Sequence, residues 1–155
     1  MNNIEDINLD LEIIFSILNG KVSLAVNRKL NRNLKKAGLG FTPEQWTVLT
    51  CLWNKDGRTQ QELCNMTFKD KPAMTRLINN LEKQELVIRQ PDLSDKRTNL
   101  IFLTEKGKES EELTNQTVLS TMKAALEGVS REHFEIARTV LKTVFENLKT
   151  SLTHD

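Results

Sequence analysis

Asp70-Lys71-Pro72-Ala73-Met74-Thr75-Arg76-Leu77-Ile78-Asn79-Asn80-Leu81-Glu82-Lys83 is the stretch on which the fold turns. Asp70 can cap a helix, and Pro72 falls in the first turn, where a missing N–H does no harm. Met74, Leu77, Ile78 and Leu81 recur at helical spacing and form a stripe to be buried. The spacing predicts a helix within Asp70–Gln84. Once its stripe is set aside, Lys71, Pro72, Ala73, Thr75, Arg76, Asn79, Asn80 and Lys83 remain on the outward face, with no acid between Asp70 and Glu82.

Just upstream, Thr59-Gln60-Gln61-Glu62 has the form of a capping box, in which the threonine hydroxyl and the glutamate three residues on satisfy each other's backbone N–H groups. It predicts a short helix through Leu63 and Cys64, stopping near Met66. A short helix joined by a few residues to a longer capped one is a helix-turn-helix, whose second helix fits the major groove of DNA. Downstream, Leu86–Gln90 and Leu100–Leu103 read as strands around the turn-rich Pro91–Thr98, so a β-hairpin, or wing, follows the second helix.

This order assigns work to particular side chains. Arg76 can grip guanine with two hydrogen bonds or hold a phosphate, and Thr75 can bond a base or a phosphate oxygen. Pro72 and Ala73 suit a thymine methyl, and Asn79 shares their face. Lys71 belongs to the same major-groove face and also suits a phosphate, and Lys69 and Thr59 are expected at phosphates. On the wing, Asp95, Lys96 and Arg97 form the tip. Asp95 can pair with Arg97 or brace the loop, and an arginine so presented suits the narrow, negative minor groove.

Farther out, Ile4, Ile7, Leu11, Ile14, Leu18, Val22 and Ala25 form a narrow seam, which Leu30 and Leu34 continue. It predicts a long helix near Asp6–Ala37 packed against another helix, ended by Gly38-Leu39-Gly40. Thr42-Pro43-Glu44-Gln45 is another helix start, followed by an inward stripe of Trp46, Leu49, Leu52 and Trp53. The two tryptophans fit either a core or the wall of a ligand pocket. Thr104 can cap a helix carrying Leu113, Met122, Ala125 and Leu126, with Gly128 at its end. Ser130 can cap a last one with Phe134, Ala137, Leu141, Val144, Leu148 and Leu152 on one stripe.

The net charge of the 155 residues is only +1, but it is unevenly spread. Residues 1–20 carry four acids and no base, residues 21–40 six bases and no acid, and residues 99–155 a net −2. A local basic face, rather than the total, is what phosphates meet. No apolar run approaches the ~20 residues of a membrane span. The acidic N-terminus does not resemble a signal peptide, so the expected location is the cytoplasm, without membrane attachment. Cys51 and Cys64 have neither zinc nor CxxC spacing, and His133 and His154 stand apart from other ligands. No metal, no cofactor and no catalytic arrangement is expected, which sets enzymes aside.

Thr42-Pro43-Glu44-Gln45-Trp46, Thr59-Gln60-Gln61-Glu62-Leu63, Met74 through Lys83, Asp95-Lys96-Arg97 and Leu103-Thr104-Glu105-Lys106-Gly107 together resemble the MarR family of regulators, over nearly the whole chain. The resemblance implies a homodimer with interwoven terminal helices that binds pseudo-palindromic duplex DNA and is relieved by a small aromatic or phenolic ligand. It places Arg97 in the minor groove and Pro72, Thr75 and Arg76 at the major groove. It also places ligand pockets between the DNA-binding lobe and the dimer helices, where Trp46 and Trp53 would be wall residues. Glu85 departs from the pattern, which has glycine before the wing strand. Redox-sensing members carry a cysteine early in the first helix, and none precedes Cys51 here. The expected fold is mainly α with a small β-hairpin: a dimerisation helix over 1–38, a winged helix-turn-helix lobe over 39–104 and dimerisation helices over 105–155. The expected function is a dimeric, ligand-relieved repressor. A winged-helix protein-interaction module that dimerises without specific DNA binding is the alternative.

Overall fold

The computed structural model describes residues 9–95 and 97–152. Ile4, Ile7, Lys96 and His154 lie outside the described residues, as do the side chains of Leu11, Ile14 and Leu152. Six helices and three strands follow in the order α1 (Leu9–Lys36), α2 (Pro43–Asn54), β1 (Arg58–Thr59), α3 (Gln60–Thr67), α4 (Lys71–Lys83), β2 (Val87–Pro91), β3 (Asn99–Leu103), α5 (Glu105–Ala125) and α6 (Arg131–Leu152). The chain forms two compact units, one running to Thr121 and the other from Met122.

Local chemistry sets the helix starts in the first unit. Thr42 and Gln45 close a capping box on α2, Thr59 and Glu62 close one on α3, and the Asp70 carboxylate accepts from the Ala73 N–H at the start of α4. Each cap satisfies N–H groups that a helix start otherwise leaves bare, and contributes about 1 kcal/mol. Leu49 and Leu52 from α2, Leu63 from α3, Met74, Ile78 and Leu81 from α4 and Ile101 from β3 are fully buried together. Leu30 and Leu34 of α1 join this core. The seam of α1 thus splits: its last two turns serve the core, whereas Leu18, Val22 and Ala25 are exposed.

The sheet has three strands in the order β1-β3-β2, all antiparallel. β2 and β3 are the expected hairpin, with Val87 opposite Leu103 and Pro91 opposite Asn99. β1 adds a third strand to the expected hairpin. This two-residue strand has no periodicity of its own and exists through pairing of Arg58 with Ile101 and Thr59 with Leu100. Asp56 fastens this corner, its Oδ1 accepting from the N–H groups of Gly57 at 3.0 Å and Leu103 at 2.9 Å.

Glu85, between α4 and β2, takes φ of +60°, the left-handed region that glycine occupies freely. The turn survives because the Glu85 carbonyl accepts from the Thr104 hydroxyl at 2.6 Å, and the Gln84 carbonyl from Lys106 at 2.8 Å. Glu85→Gly keeps both of these backbone bonds and removes the strain. It is expected to stabilise the fold by about 0.5–1 kcal/mol, read as a rise in thermal midpoint. The Lys106–Glu85 pair it removes is exposed and 3.7 Å long, so its loss subtracts little.

In the second unit, α6 starts at the Ser130 cap, which accepts from the His133 N–H at 3.2 Å. Phe134, Ile136, Val140 and Leu141 remain exposed along it. Among the described residues, no helix is long and apolar enough to cross a membrane, and no three potential metal ligands gather.

Candidate nucleic-acid interface

Helices α3 and α4 and the β2–β3 wing create one face. Lys71 and Arg76 stand exposed on α4, together with Pro72 and Asn79, while Ala73 and Thr75 are half-buried. The Arg76 guanidinium makes no bond among the described residues and is free to meet a partner. Lys69, in the turn before α4, lies 3.6 Å from the Glu44 carboxylate across an exposed gap, a loose pair that a phosphate can displace.

The hydroxyl of Thr75 and the side-chain oxygen of Asn79 are already engaged. The Thr75 hydroxyl donates to the Lys71 carbonyl at 2.8 Å and accepts from the Gln60 side-chain amide at 2.8 Å. Asn79 accepts at Oδ1 from an Arg89 N–H at 2.8 Å. Arg89 is itself held by Glu82, whose carboxylate takes both its guanidinium and its backbone N–H. Thr59 is similarly occupied: its hydroxyl accepts from the Glu62 N–H and donates to the Glu62 carboxylate at 2.9 Å. The backbone and side-chain bonds from Thr59 hold the exposed Glu62 carboxyl below its usual range. Its stabilising bonds are therefore intact above the ordinary glutamate range and weaken only as pH falls through the lowered value.

The wing tip is ordered by two carboxylates. Asp92 Oδ1 accepts from the Ser94 hydroxyl at 2.7 Å and the Ser94 N–H at 2.8 Å, which lowers its pKa. Asp95 accepts from the Arg97 N–H at 3.0 Å and from the Thr98 hydroxyl at 2.9 Å. Of the two expected roles, Asp95 performs the second. It braces the backbone and leaves the Arg97 guanidinium unpaired among the described residues.

A cleft of about 380 Å³ unites these parts. Thr59 and Gln60 line it from the start of α3, Lys71 from α4, Arg89 from β2, and Arg97 and Thr98 from the wing. Three cations around one open cleft make a surface suited to a phosphodiester backbone. Gln60 and Arg89 were not among the expected site residues. Gln60 is legible only as part of a cap, and Arg89 reaches Asn79 only once β2 has docked beside α4.

The tryptophans separate. Trp46 lines a second cleft of about 440 Å³ with Asn27, Thr50, Met66 and Lys69. Its indole N–H is buried and lacks a partner among the described residues. Trp53 does not line that cleft, and its indole N–H donates to the Gly107 carbonyl at 2.9 Å, tying α2 to α5. Burial raises the pKa of both thiols, Cys51 and Cys64, which disfavours the reactive thiolate.

The MarR family model matches residues 41–98, which span this face from the start of α2 to the wing. The chain is 30% identical to the HTH-type transcriptional regulator SarZ of Staphylococcus epidermidis over 131 residues, covering 84% of this chain and 81% of that one. It is 28% identical to the HTH-type transcriptional regulator YybA of Bacillus subtilis, covering 76% of this chain and 78% of the relative. Its fold is similar to that of a MarR point mutant from E. coli complexed with operator DNA. That match has a TM-score of 0.79 and 28% identity, over 89% of this chain and 99% of the other.

Proposed function

The chain belongs to the MarR family of DNA-binding transcriptional regulators, not to a family of enzymes, and from that premise we propose that it is a cytoplasmic, dimeric repressor of a pseudo-palindromic operator. The observation that carries this reading is the pairing of an acid-free helix face, with Arg76 unengaged, and a braced wing presenting Arg97. The exposed apolar residues Leu18, Val22 and Leu24 of α1, and Phe134 and Ile136 of α6, support dimerisation, because such surfaces gain stability when a second copy covers them. A two-fold dimer presents its recognition helices about one DNA turn, ~34 Å, apart. In this reading Lys71, Lys69 and the amides at the start of α3 take phosphates; Pro72, Ala73, Thr75, Arg76 and Asn79 meet the major groove; and Asp95, Lys96 and Arg97 form the minor-groove tip.

Selection of bound duplexes from a random pool tests the function. An enriched inverted repeat, with affinity falling steeply as salt rises, is the expected result. Failure to enrich any sequence, with a flat salt response, would instead favour a protein-interaction module.

The effector we propose is a small aromatic compound with a hydrogen-bond acceptor, seated in the cleft at Trp46. In this reading an oxygen that reaches the indole N–H would satisfy a donor whose burial without a partner costs about 1–3 kcal/mol. Trp46→Phe retains the ring and removes the donor. In titrations with a panel of phenols and aromatic acids followed by DNA release, this variant is expected to need about tenfold more ligand. An unchanged response would remove Trp46 from the effector site.

A further inference from the structure

We infer that Gln60 and Arg89, both outside the recognition helix, fix the hydrogen-bonding character that the helix offers to DNA, so that Asn79 faces the bases mainly as a donor and Thr75 offers a methyl group and no free hydroxyl proton. The inference rests on the reading above, in which α4 occupies the major groove.

A guanidinium carries N–H donors and no acceptor, so the Asn79 atom that Arg89 approaches at 2.8 Å is the carbonyl oxygen. The amide NH₂ is thereby left as the free end, and it has no partner among the described residues. Arg89 does not swing away easily, because Glu82 holds both its guanidinium and its backbone N–H. An asparagine that reads adenine uses both ends, donating to N7 while accepting from the N6 amino group. Here the accepting end is already bound to a cation, and such charge-assisted bonds are about twice as strong as neutral ones. Asn79 is consequently deprived of the two-point match that singles out adenine, and its free NH₂ is satisfied by any bare acceptor at a major-groove edge: N7 of either purine, O6 of guanine or O4 of thymine.

Thr75 reaches a parallel state by another route. Its single hydroxyl proton goes to the Lys71 carbonyl, and the Gln60 amide N–H occupies one of its lone pairs. Gln60 also approaches the Lys71 carbonyl at 3.3 Å, so three groups lock together. The hydroxyl has no proton left to give to a base or a phosphate. What remains is one lone pair and the methyl group, and the feature in the groove that matches the methyl is the thymine C5 methyl.

The experiment is selection from a random duplex pool with the full-length protein and three variants, Thr75→Val, Thr75→Ser and Arg89→Met. Thermal melts confirm that each variant folds. Wild type is expected to enrich an inverted repeat with one symmetric pair of positions at which adenine has no advantage over guanine and cytosine is disfavoured. Arg89→Met frees the Asn79 carbonyl and is expected to admit adenine at that pair about tenfold more readily, leaving other positions alone. Thr75→Val keeps the methyl and should preserve the selected sequence. Thr75→Ser keeps the hydroxyl and should relax one symmetric position.

A base profile for Arg89→Met that matches wild type, or blurs evenly at every position, overturns the inference, as does a serine variant that outperforms the valine one. If Arg89→Met fails to fold, the Thr75 pair still decides. If wild type enriches no sequence at all, it is the DNA-binding reading that falls, and this inference falls with it. An enriched repeat whose profile the variants leave unchanged overturns this inference alone.

Discussion

Gly107→Ala is expected to destabilise the DNA-binding lobe by about 3 kcal/mol or more, a large share of the ~5–15 kcal/mol that holds a domain of this size together. A Cβ at Gly107 would lie 2.1 Å from the Leu86 carbonyl oxygen and 3.2 Å from Leu103 Cδ2. The carbonyl cannot retreat cheaply. It accepts from the Thr104 N–H at 3.1 Å and belongs to the strained turn at Glu85. The Gly107 carbonyl also receives the Trp53 indole N–H, so moving this residue disturbs the tie between α2 and α5. Gly40 provides the control. Nothing lies within 4 Å of its would-be Cβ, and Gly40→Ala should shift stability by no more than about 0.5 kcal/mol. Urea denaturation of both variants, at one fixed protein concentration because the proposed dimer would make stability depend on it, separates these outcomes. Equal midpoints would show that the close approach at Gly107 is not what requires glycine there.

The second large effect concerns binding. Arg97→Ala is expected to weaken operator affinity by about 1–3 kcal/mol per half-site, with a shallower dependence on salt, because a cation has been taken from the phosphate field. Anisotropy titrations at several salt concentrations measure both quantities, and normal binding by the variant would end the wing's assigned role. Asp95→Ala makes a sharper companion, since two effects oppose each other there. Removing an acid near DNA should strengthen binding on Coulombic grounds alone. Removing the acceptor of the Arg97 N–H and the Thr98 hydroxyl should weaken it by loosening the tip. We expect the loss of the brace to win and affinity to drop, although the variant gains a unit of net positive charge.

Much of this was legible in the sequence because it is local. The caps at Thr42, Thr59 and Asp70 each involve residues three positions apart, and the structure places all three helix starts there. The buried stripe of α4 needs only helical periodicity, and Met74, Leu77, Ile78 and Leu81 are all buried. What escaped depends on partners distant along the chain. β1 is strand only because β3 lies beside it. The seam of α1 was clear as a pattern, but periodicity names an apolar face and not its cover, so the separate destinations of Leu34 and Leu18 could not be read from spacing. The engagement of Asn79 by Arg89 arises from docking a strand against a helix. No spacing rule links positions ten apart across that turn.

The two carboxylates at the wing tip have a kinetic consequence. A free loop loses conformational freedom when it settles on a partner, and that loss is charged to association. In this hairpin Asp92 and Asp95 already hold the backbone N–H groups of Ser94 and Arg97. Encounter with a groove then has mainly side-chain torsions left to freeze. On the proposed role, the acids would slow the approach slightly through repulsion, while a larger fraction of collisions would arrive with the tip in a productive shape. Under the proposed docking, this hairpin would suit rapid sampling of many sites, with residence time set by the contacts that α4 makes.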